Sequence, residues 1–240
     1  MSPPDDVTAV ILAGGKGPRL QRLHPETPKP MIRVADQPFL YWLTLWLARH
    51  GLRHFVYSTG YRGEQVELWA ESDRFPEIER VCRRETIPLG TGGGLLNCLD
   101  LCRDWIVVVN GDGLVLGGIA ELIALANTGV DGGLIGVAVQ DTTRYGSLAV
   151  DESGRLTGFR EKVPGRGLIN AGVYLFCATV LRALGPNGAC SLEYDLFPEL
   201  IRRGANIRII PVTNVPFIDI GTPETLNEAE RFITGHFCGT

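Results

Sequence analysis

A short glycine-rich segment follows the first apolar run of the chain and has the composition of a phosphate-binding turn. Residues 7–12 are mostly apolar and mostly β-branched, and residues 13–20 then read AGGKGPRL. Glycines let the backbone come close to a phosphate and let successive N–H groups point at it, while Lys16 and Arg19 supply positive charge. The segment therefore predicts a site for a phosphorylated ligand.

The same segment matches neither of two well-known nucleotide-binding sequences. It is not a Walker A sequence, and Leu20 stands where the third glycine of a GxGxxG fingerprint would fall. The missing glycine counts against a nicotinamide-dependent oxidoreductase. Taken alone, the segment is as compatible with a plain tight turn as with a phosphate site.

A lysine framed by two prolines is a second candidate for phosphate chemistry. Lys29 lies between Pro28 and Pro30. Because the prolines hold the local backbone extended, the ammonium is presented from a stiff segment, which suits a group that must hold a phosphoryl group during its transfer. A lysine on a solvated loop is the simpler interpretation, and both remain open at this point.

Two acidic residues stand at the ends of apolar runs that read as buried strands. Asp112 follows the run 105–109, and Asp219 ends the run 217–219 just before Gly221. Mg²⁺ requires only one or two carboxylates, because phosphate oxygens and water supply its other ligands. The pair therefore predicts a Mg²⁺ site, although each acid alone is also typical of a turn or a helix cap.

A second glycine-rich turn, residues 88–94, reads PLGTGGG and precedes a helical pattern. Its glycines would leave room for a flat base or a ribose against the backbone. The simpler interpretation is a helix start with Thr91 as its N-cap. The turn gains meaning only together with the first one.

Strand-like and helix-like segments alternate between these motifs, which predicts a three-layer, Rossmann-like α/β fold with a doubly wound, mixed and mostly parallel sheet. In the first half these segments are 7–12, 39–50, 54–57, 63–70, 78–82, 93–102 and 105–109. In the second half the strand-like segments are 134–139, 147–150, 155–160 and 171–176, with a hairpin turn at 151–154. Ligands bind such sheets beyond the carboxyl ends of the strands, where the first glycine segment falls.

Several helices carry recognisable start or stop signals. Segment 39–50 has leucines at helical spacing and stops at Gly51, a typical C-terminal glycine. Ser191 can cap a helix that runs to residue 203. Thr222 can cap the last helix, with Pro223 at its first position.

The composition is that of an ordinary globular protein, and residues 1–240 are expected to form a single domain. A net charge of −4 argues against a nucleic-acid partner. The apolar runs are far shorter than the roughly 20 residues that span a bilayer, and no basic region precedes the first one as in a secretory signal. We therefore expect a cytoplasmic protein without a membrane partner; a homo-oligomer remains open.

The cysteines and histidines give no sign of zinc or redox chemistry. The chain has six cysteines and four histidines, without CxxC or HExxH spacing. Reduced and mostly buried thiols are expected. Trp42, Trp46 and Trp69 are expected in the core rather than at an interface.

Taken together, these motifs resemble the sugar-1-phosphate nucleotidyltransferase family. The strings LAGGKGPRL, TPKPM, PLGTGGG, NGDG and FIDIGTPE occur in family order, with Glu161-Lys162 and Asn170-Ala171-Gly172 between the last two. They cover residues 7 to 231, which is nearly the whole chain. Within the family, NAGVYLF and SLEYDLFPEL are most similar to the D-glycero-D-manno-heptose 1-phosphate guanylyltransferases.

The resemblance implies a role for each matching position. Catalytic residues would be Arg19, Lys29 and Asp112, and the Mg²⁺ ligands would be Asp112 and Asp219. Nucleotide-binding residues would be Leu12, Ala13, Gly14, Gly15, Lys16, Gly17, Glu85, Pro88, Gly90 and Thr91. Sugar-phosphate-binding residues would be Gly146, Glu161, Lys162 and Asn170.

Two positions depart from the family pattern. Pro18 stands where Thr or Ser is usual, which removes a hydroxyl and a backbone donor from the phosphate loop. Gly113 stands where Thr, Val or a similar residue is usual. Either change could weaken triphosphate binding, but Arg19, Lys29 and both acids are retained, so catalysis is expected.

The expected reaction is the transfer of a nucleoside monophosphate, GMP from GTP, to D-glycero-D-manno-heptose 1-phosphate with release of pyrophosphate. A mannose 1-phosphate guanylyltransferase or a uridylyltransferase acting on a sugar or amino-sugar phosphate is the first alternative. A non-catalytic nucleotide-sugar sensor is an alternative of another class.

Overall fold

The fold was analysed in a computed structural model, which describes residues 6–15, 17, 20, 22–143, 146–160, 164–185 and 188–238. Its strands are β1 (Val7–Ala13), β2 (Arg33–Val34), β3 (Gln37–Pro38), β4 (His54–Thr59), β5 (Glu79–Arg84), β6 (Trp105–Asn110), β7 (Gly113–Val115), β8 (Gly132–Val139), β9 (Ser147–Val150), β10 (Leu156–Arg160), β11 (Gly167–Cys177), β12 (Ile207–Val212) and β13 (Phe217–Asp219).

The α-helices are α1 (Phe39–Arg49), α2 (Gly63–Ala70), α3 (Gly90–Leu96), α4 (Ile119–Ile123), α5 (Ala178–Arg182), α6 (Phe197–Arg202) and α7 (Pro223–Phe237). Two 3₁₀ turns, Lys29–Met31 and Leu99–Leu101, and a π-helical turn, Leu192–Leu196, complete the described elements. No described helix is both long enough and apolar enough to traverse a lipid bilayer.

Four parallel strands form one side of the main sheet, in the order β6-β1-β4-β5, with β5 at the edge. Val10 of β1 pairs with Val56 of β4 on one side and with Val108 of β6 on the other, and all three are fully buried. Apolar β-branched runs suit this position because a parallel strand is covered on both faces. The carboxyl ends of β1 and β6 therefore lie side by side.

Antiparallel strands extend the sheet beyond β6. The long strand β11 pairs with β6 through Val173–Cys177 and with β8 on its other side, and β12 runs parallel to β8. The hairpin β9–β10 joins through the pairing of Ser147 with Ile169. Its turn has Gly154 at φ +82°, and the Asp151 carboxylate accepts from backbone N–H groups within it.

Hydrophobic side chains fill both faces of the sheet and create three layers. Helices α1, α2, α4 and α7 contribute to the core on one face, with Leu43, Val66 and Ile233 fully buried. Helices α3, α5 and α6 contribute to the core on the other face. The predicted three-layer, doubly wound mixed sheet of the α/β class is confirmed.

Most of the predicted element ends are confirmed. Helix α1 ends as expected, since Gly51 has φ +88° and donates to Ala48 O at 2.9 Å. Thr222 caps α7 by accepting from Thr225 N at 3.3 Å, with Pro223 at the first helical position. The tryptophans predicted in the core, Trp42, Trp46 and Trp69, are buried.

Two helix predictions are corrected. The predicted helix 93–102 is the helix α3, which begins at Gly90, followed by a separate 3₁₀ turn. Thr91 is not its N-cap: Leu89 holds that position, and the Thr91 hydroxyl accepts from Leu192 N at 2.9 Å. The positive φ of Gly90, +71°, lets the chain turn into the helix two residues earlier than an N-cap at Thr91 would.

The predicted helix 191–203 is divided into a π-helical turn and α6. Ser191 does accept from Glu193 N and Tyr194 N, as a capping residue should. However, Pro198 lacks an N–H group and lies in the first turn of α6, where no intrahelical donor is needed, so a new helix begins at Phe197. The division gives the chain an irregular turn beside the functional site.

Candidate active site

A cavity of about 760 Å³ opens at the carboxyl ends of β1 and β6. Five segments that are distant in sequence line it: both glycine turns, the Lys29 turn, the end of β4 and the end of β6. Ten of the predicted site residues line the cavity: Leu12, Gly14, Gly15, Gly17, Lys29, Glu85, Pro88, Gly90, Thr91 and Asp112. Ala13, Gly146, Asn170 and Asp219 are described but are not among the lining residues.

The first glycine segment is held by close backbone contacts with its neighbours. Gly111 N donates to Leu12 O at 3.0 Å, and a Cβ on Gly111 would lie only 2.4 Å from that oxygen. Tyr61 N donates to Gly14 O at 3.1 Å. These contacts bring the end of β6 against the end of β1, so that Asp112 stands directly beside the glycine segment.

Lys29 points from its 3₁₀ turn into the site and forms an ion pair with a predicted metal ligand. Its Nζ lies 2.5 Å from Asp112 Oδ2, and its side chain is 14% exposed. The aliphatic part of the side chain packs over Gly17, where an added Cβ would lie 3.1 Å from Lys29 Cδ. Gly17 has φ +56°, so its lack of a side chain serves both the turn and this contact.

The two predicted metal ligands are brought together by a separate two-stranded ladder. Asp219 of β13 pairs with Gly113 of β7, and Ile220 N donates to Asp112 O at 2.8 Å. A Cβ on Gly221 would lie 2.7 Å from Asp219 Oδ1 and 3.7 Å from Lys29 Nζ. Asp219 therefore flanks the Lys29–Asp112 ion pair.

This pair of carboxylates fits a divalent cation that is also bound by a phosphorylated ligand. Among the described residues no group of three or more His, Cys, Asp or Glu side chains could hold a metal ion. Two carboxylates leave coordination positions for phosphate oxygens and water, as Mg²⁺ prefers. The Lys29 ammonium lies beside Asp112, so this position already accommodates a positive charge.

A glycine at position 113, where Thr, Val or a similar residue is usual in the family, is compatible with the positions of Asp112 and Asp219. An added Cβ there would lie 3.7 Å from Ala171 O, an ordinary van der Waals contact, so packing does not require a glycine. The backbone of Gly113 makes the β7–β13 ladder whatever its side chain. Pro18 lies outside the described residues.

Glu85 is the acidic residue on the side of the cavity that faces the second glycine turn. Its Oε2 accepts from Leu89 N at 3.1 Å, and Ser58 Oγ lies 3.4 Å from its Oε1. Burial raises the pKa of Glu85 above its usual value, and these hydrogen bonds partly oppose the rise. A carboxylate can accept about four hydrogen bonds, so Glu85 retains capacity for a ligand's donors.

The glycines of the second turn are also needed for packing against the segment that carries Cys190. Gly92 N and Gly93 N donate to Cys190 O at 2.9 and 3.2 Å. A Cβ on Gly90 would lie 2.6 Å from the same oxygen. Together with the bond from Leu192 N to Thr91, these contacts fix α3 against the π-helical turn.

The predicted sugar-side residues that are described lie on neighbouring strands. Gly146 precedes β9 and Asn170 belongs to β11, and the pairing of Ser147 with Ile169 places them close together. Asn170 Nδ2 donates to Tyr174 Oη at 2.8 Å, and Gly172 N donates to Asn170 Oδ1 at 3.0 Å. Lys16, Arg19, Glu161 and Lys162 lie outside the described residues, so their roles stay predictions.

Residues of the site that sequence reasoning missed are Ser58, Asn110, Tyr174 and Glu193. Asn110 lines the cavity and was visible in the string NGD, beside the chosen aspartate. Tyr174 and Glu193 interact through a 2.8 Å hydrogen bond. Both were present in strings that carried the family resemblance, but only the fold brings them together.

The sequence profile of the nucleotidyl transferase family matches residues 8–236. The chain belongs to the nucleotidyl transferase family. The match extends over both glycine turns, both aspartates and Lys29. The nicotinamide-dependent alternative is thereby set aside.

Curated members of the nucleotidyl transferase family include two kinds of guanylyltransferase. The chain is 36% identical over 225 residues to a mannose-1-phosphate guanylyltransferase of Mycobacterium tuberculosis, covering 91% of this chain and 62% of that protein. It is 31% identical over 220 residues to a D-glycero-alpha-D-manno-heptose 1-phosphate guanylyltransferase of Campylobacter jejuni, covering 90% of this chain and 95% of that protein. The chain thus spans less than two thirds of the first relative and nearly all of the second.

A solved structure supports the assignment of this nucleotidyl transferase fold. The crystal structure of HddC from Yersinia pseudotuberculosis complexed with GMP-PN has a TM-score of 0.82 and 30% sequence identity. The match covers 93% of this chain and 98% of that one. The neighbour is therefore similar in length as well as in fold.

Proposed function

We propose that the protein transfers GMP from GTP to a sugar 1-phosphate, forming a GDP-sugar and pyrophosphate. One observation supports the reaction above the others: the Lys29–Asp112 ion pair, flanked by Asp219, borders a cavity lined by both glycine turns. This arrangement offers positive charge, cation ligands and exposed backbone to one phosphorylated ligand. The sugar-phosphate side is assigned to Gly146, Glu161, Lys162 and Asn170.

The proposed reaction is an in-line displacement at the α-phosphorus of the triphosphate. An anionic oxygen of the sugar 1-phosphate forms the new P–O bond, while the bond to the pyrophosphate oxygen breaks and pyrophosphate leaves with those electrons. The attacking oxygen is already anionic at neutral pH, so no protein base is required. Lys29 and Arg19 neutralise charge on the transferring phosphate, which together with positioning supplies most of the catalysis.

Asp112 and Asp219 would hold the divalent cation, for which we propose Mg²⁺. When bound, it would neutralise phosphate charge and orient the triphosphate. Before it binds, the ammonium of Lys29 balances the charge of Asp112. In the complete site the ammonium would turn from Asp112 to the phosphate.

The base is proposed to be guanine, and Glu85 supports this choice. Guanine presents two adjacent donors, N1–H and the N2 amino group, and a carboxylate can accept both. Glu85 lines the cavity, is half-buried, and is oriented by Leu89 N and Ser58. Guanine is also the base named for the M. tuberculosis and C. jejuni relatives.

The sugar is proposed to be D-glycero-D-manno-heptose, with mannose as the alternative. The Campylobacter relative, which this chain covers almost completely, favours the heptose. The Mycobacterium relative is more similar in sequence but longer, and it favours mannose. A uridylyltransferase acting on an amino-sugar phosphate is the remaining choice of substrate.

A substrate panel tests the proposal directly. Four NTPs are combined with heptose, mannose and N-acetylglucosamine 1-phosphates, and pyrophosphate release is measured with Mg²⁺ and with chelator. The expected result is release that requires GTP, the heptose phosphate and Mg²⁺. Tight binding of a GDP-sugar by calorimetry, without release in any combination, would instead show a non-catalytic sensor.

The proposal includes a single nucleotidyltransferase domain over residues 1–240 that works in the cytoplasm. All six cysteines are free thiols, which suits a reducing compartment. Two of them are buried and Cys238 is exposed, so fewer are buried than the sequence predicted. A homo-oligomer remains open.

A further inference from the structure

A buried phenol joins Asn170 of the proposed sugar side to a glutamate that the proposed mechanism does not use. Tyr174 is fully buried, and its hydroxyl donates to Glu193 Oε1 at 2.8 Å. The same oxygen of Tyr174 accepts from Asn170 Nδ2 at 2.8 Å, and this Nδ2 also lies 3.4 Å from Glu193 Oε1. We call these three side chains, Asn170, Tyr174 and Glu193, the hub.

The hub fixes the orientation of the Asn170 amide. Asn170 directs Nδ2 to the phenol, and its Oδ1 accepts from Gly172 N at 3.0 Å. Asn170 lies on the proposed sugar side, because the pairing of Ser147 with Ile169 places it close to Gly146.

Glu193 is itself held in place from two directions. Ser191 Oγ lies 3.0 Å from Glu193 Oε2 and also accepts from Glu193 N at 3.2 Å. The preceding residue, Leu192, donates its backbone N–H to the Thr91 hydroxyl of α3. The carboxylate that anchors the hub is therefore fixed to the helix that borders the base side of the cavity.

We propose that Glu193 is a positioning residue for the sugar 1-phosphate, acting on Asn170 directly and through Tyr174. The inference rests on the proposed sugar-phosphate subsite. A hydrogen bond to a charged acceptor is strong, and a satisfied buried network holds one geometry. Without Glu193, the buried hydroxyl of Tyr174 loses its acceptor and must reorient, and the Asn170 amide loses the groups that orient it.

The physical state of the phenol agrees with this role. Burial, with a further contribution from the charge of Glu193, raises the pKa of Tyr174 well above its ordinary value. At neutral pH the phenol therefore keeps its proton and can donate it to Glu193. With that proton directed at Glu193, the oxygen of Tyr174 is left to accept from Asn170 Nδ2.

The test separates positioning of the sugar phosphate from general stability. Glu193→Ala and Tyr174→Phe are each expected to raise KM for the sugar 1-phosphate roughly tenfold, by misplacing groups of the site, with KM for GTP within about twofold. Glu193→Gln keeps an acceptor oxygen for the phenol and should lose much less. Glu199→Ala, which removes a carboxylate paired with Arg202 and Arg203 on α6, is the matched control.

The double variant Glu193→Ala/Tyr174→Phe is the decisive measurement. If both residues act through one hub, its KM for the sugar phosphate equals that of Glu193→Ala alone. Additive effects, an equal rise in KM for both substrates, or an unchanged Glu193→Ala would overturn the inference. If Glu193→Ala does not fold, Tyr174→Phe and Glu193→Gln carry the comparison. A wild-type protein that releases no pyrophosphate overturns the proposed function itself.

Discussion

Lys29 and Asp112 form an ion pair of 2.5 Å although they are 83 positions apart in the sequence. The ammonium is nearly buried, with its aliphatic part over Gly17, whereas the carboxylate is 39% exposed. In the proposed reaction the Lys29 ammonium would contact the transferring phosphate, and the Asp112 carboxylate would bind the divalent cation. The ion pair therefore holds the site ready while no substrate is bound.

Removing the ammonium should abolish most of the activity. Lys29→Met is expected to lower kcat for pyrophosphate release on the order of 10²- to 10³-fold, because a preorganised charge on the transferring phosphate is lost. Arg33→Met removes an exposed basic side chain four positions away and is the control. A Lys29→Met rate close to that of the wild type would contradict the proposed role.

The same change should tighten metal binding when no nucleotide is present. Lys29 competes with a cation for Asp112, so Lys29→Met is expected to bind Mn²⁺ about tenfold more tightly in calorimetry, since a nearby positive charge has gone. Lys29→Arg retains the charge and should bind as weakly as the wild type. Equal affinities in all three proteins would show that the ammonium does not occupy the cation's place.

Glu85 should determine the choice of base. Glu85→Gln replaces one acceptor oxygen with an amino group, so kcat/KM for GTP is expected to fall about 10- to 100-fold, as for loss of a charged hydrogen bond. The rates with the other NTPs should change much less. Glu77→Gln, at an exposed position, is the control. A parallel fall with all four NTPs would mean that Glu85 acts only on the structure.

The close contact at Gly111 should make this position intolerant of a side chain. A Cβ there would approach Leu12 O to 2.4 Å, so Gly111→Ala is expected to lower the free energy of unfolding by roughly 1–3 kcal/mol, as overpacking does. In α7, exposed Gly235 has open space around it, so Gly235→Ala should stabilise the protein by about 0.5–1 kcal/mol. Urea unfolding measures both changes.

The stability of the protein should fall in mild acid because of His54. This ring lies 2.9 Å from Thr8 Oγ1, and burial lowers its pKa, with Glu79 partly opposing. Below the ordinary histidine pKa of about 6.5, the unfolded chain therefore binds more protons than the folded one, so stability is full above that pH and declines as pH falls toward the folded-state pKa. His54→Gln should show a smaller fall in Tm between pH 7.5 and 5.5, whereas the exposed His236→Gln should behave as the wild type.

The sequence predicted those residues of the site that stand in short glycine, proline or strand-end motifs. The glycine segment after β1, the aspartates after β6 and in β13, and the framed Lys29 each had a local signal. The parallel pairing of β1 with β6 brings the glycine segment beside Asp112, and the antiparallel β7–β13 ladder brings Asp219 to them. Glu193 and Tyr174 stood in strings that carried the family resemblance, but their pairing had no local signal, because it depends on the packing of the π-helical turn against β11. Thr91 was misjudged for the same reason: its partner is 101 positions away.

The ladder β7–β13 sets the order in which the site can be completed during synthesis. Asp112 emerges from the ribosome more than a hundred residues before Asp219, and domains fold as their chain appears. The strands of the central sheet are all made before β13, so a nascent chain can build the base pocket while it still lacks the second acid. Competence for the proposed reaction is thus acquired only once β13 and the helix behind it have been made and have docked.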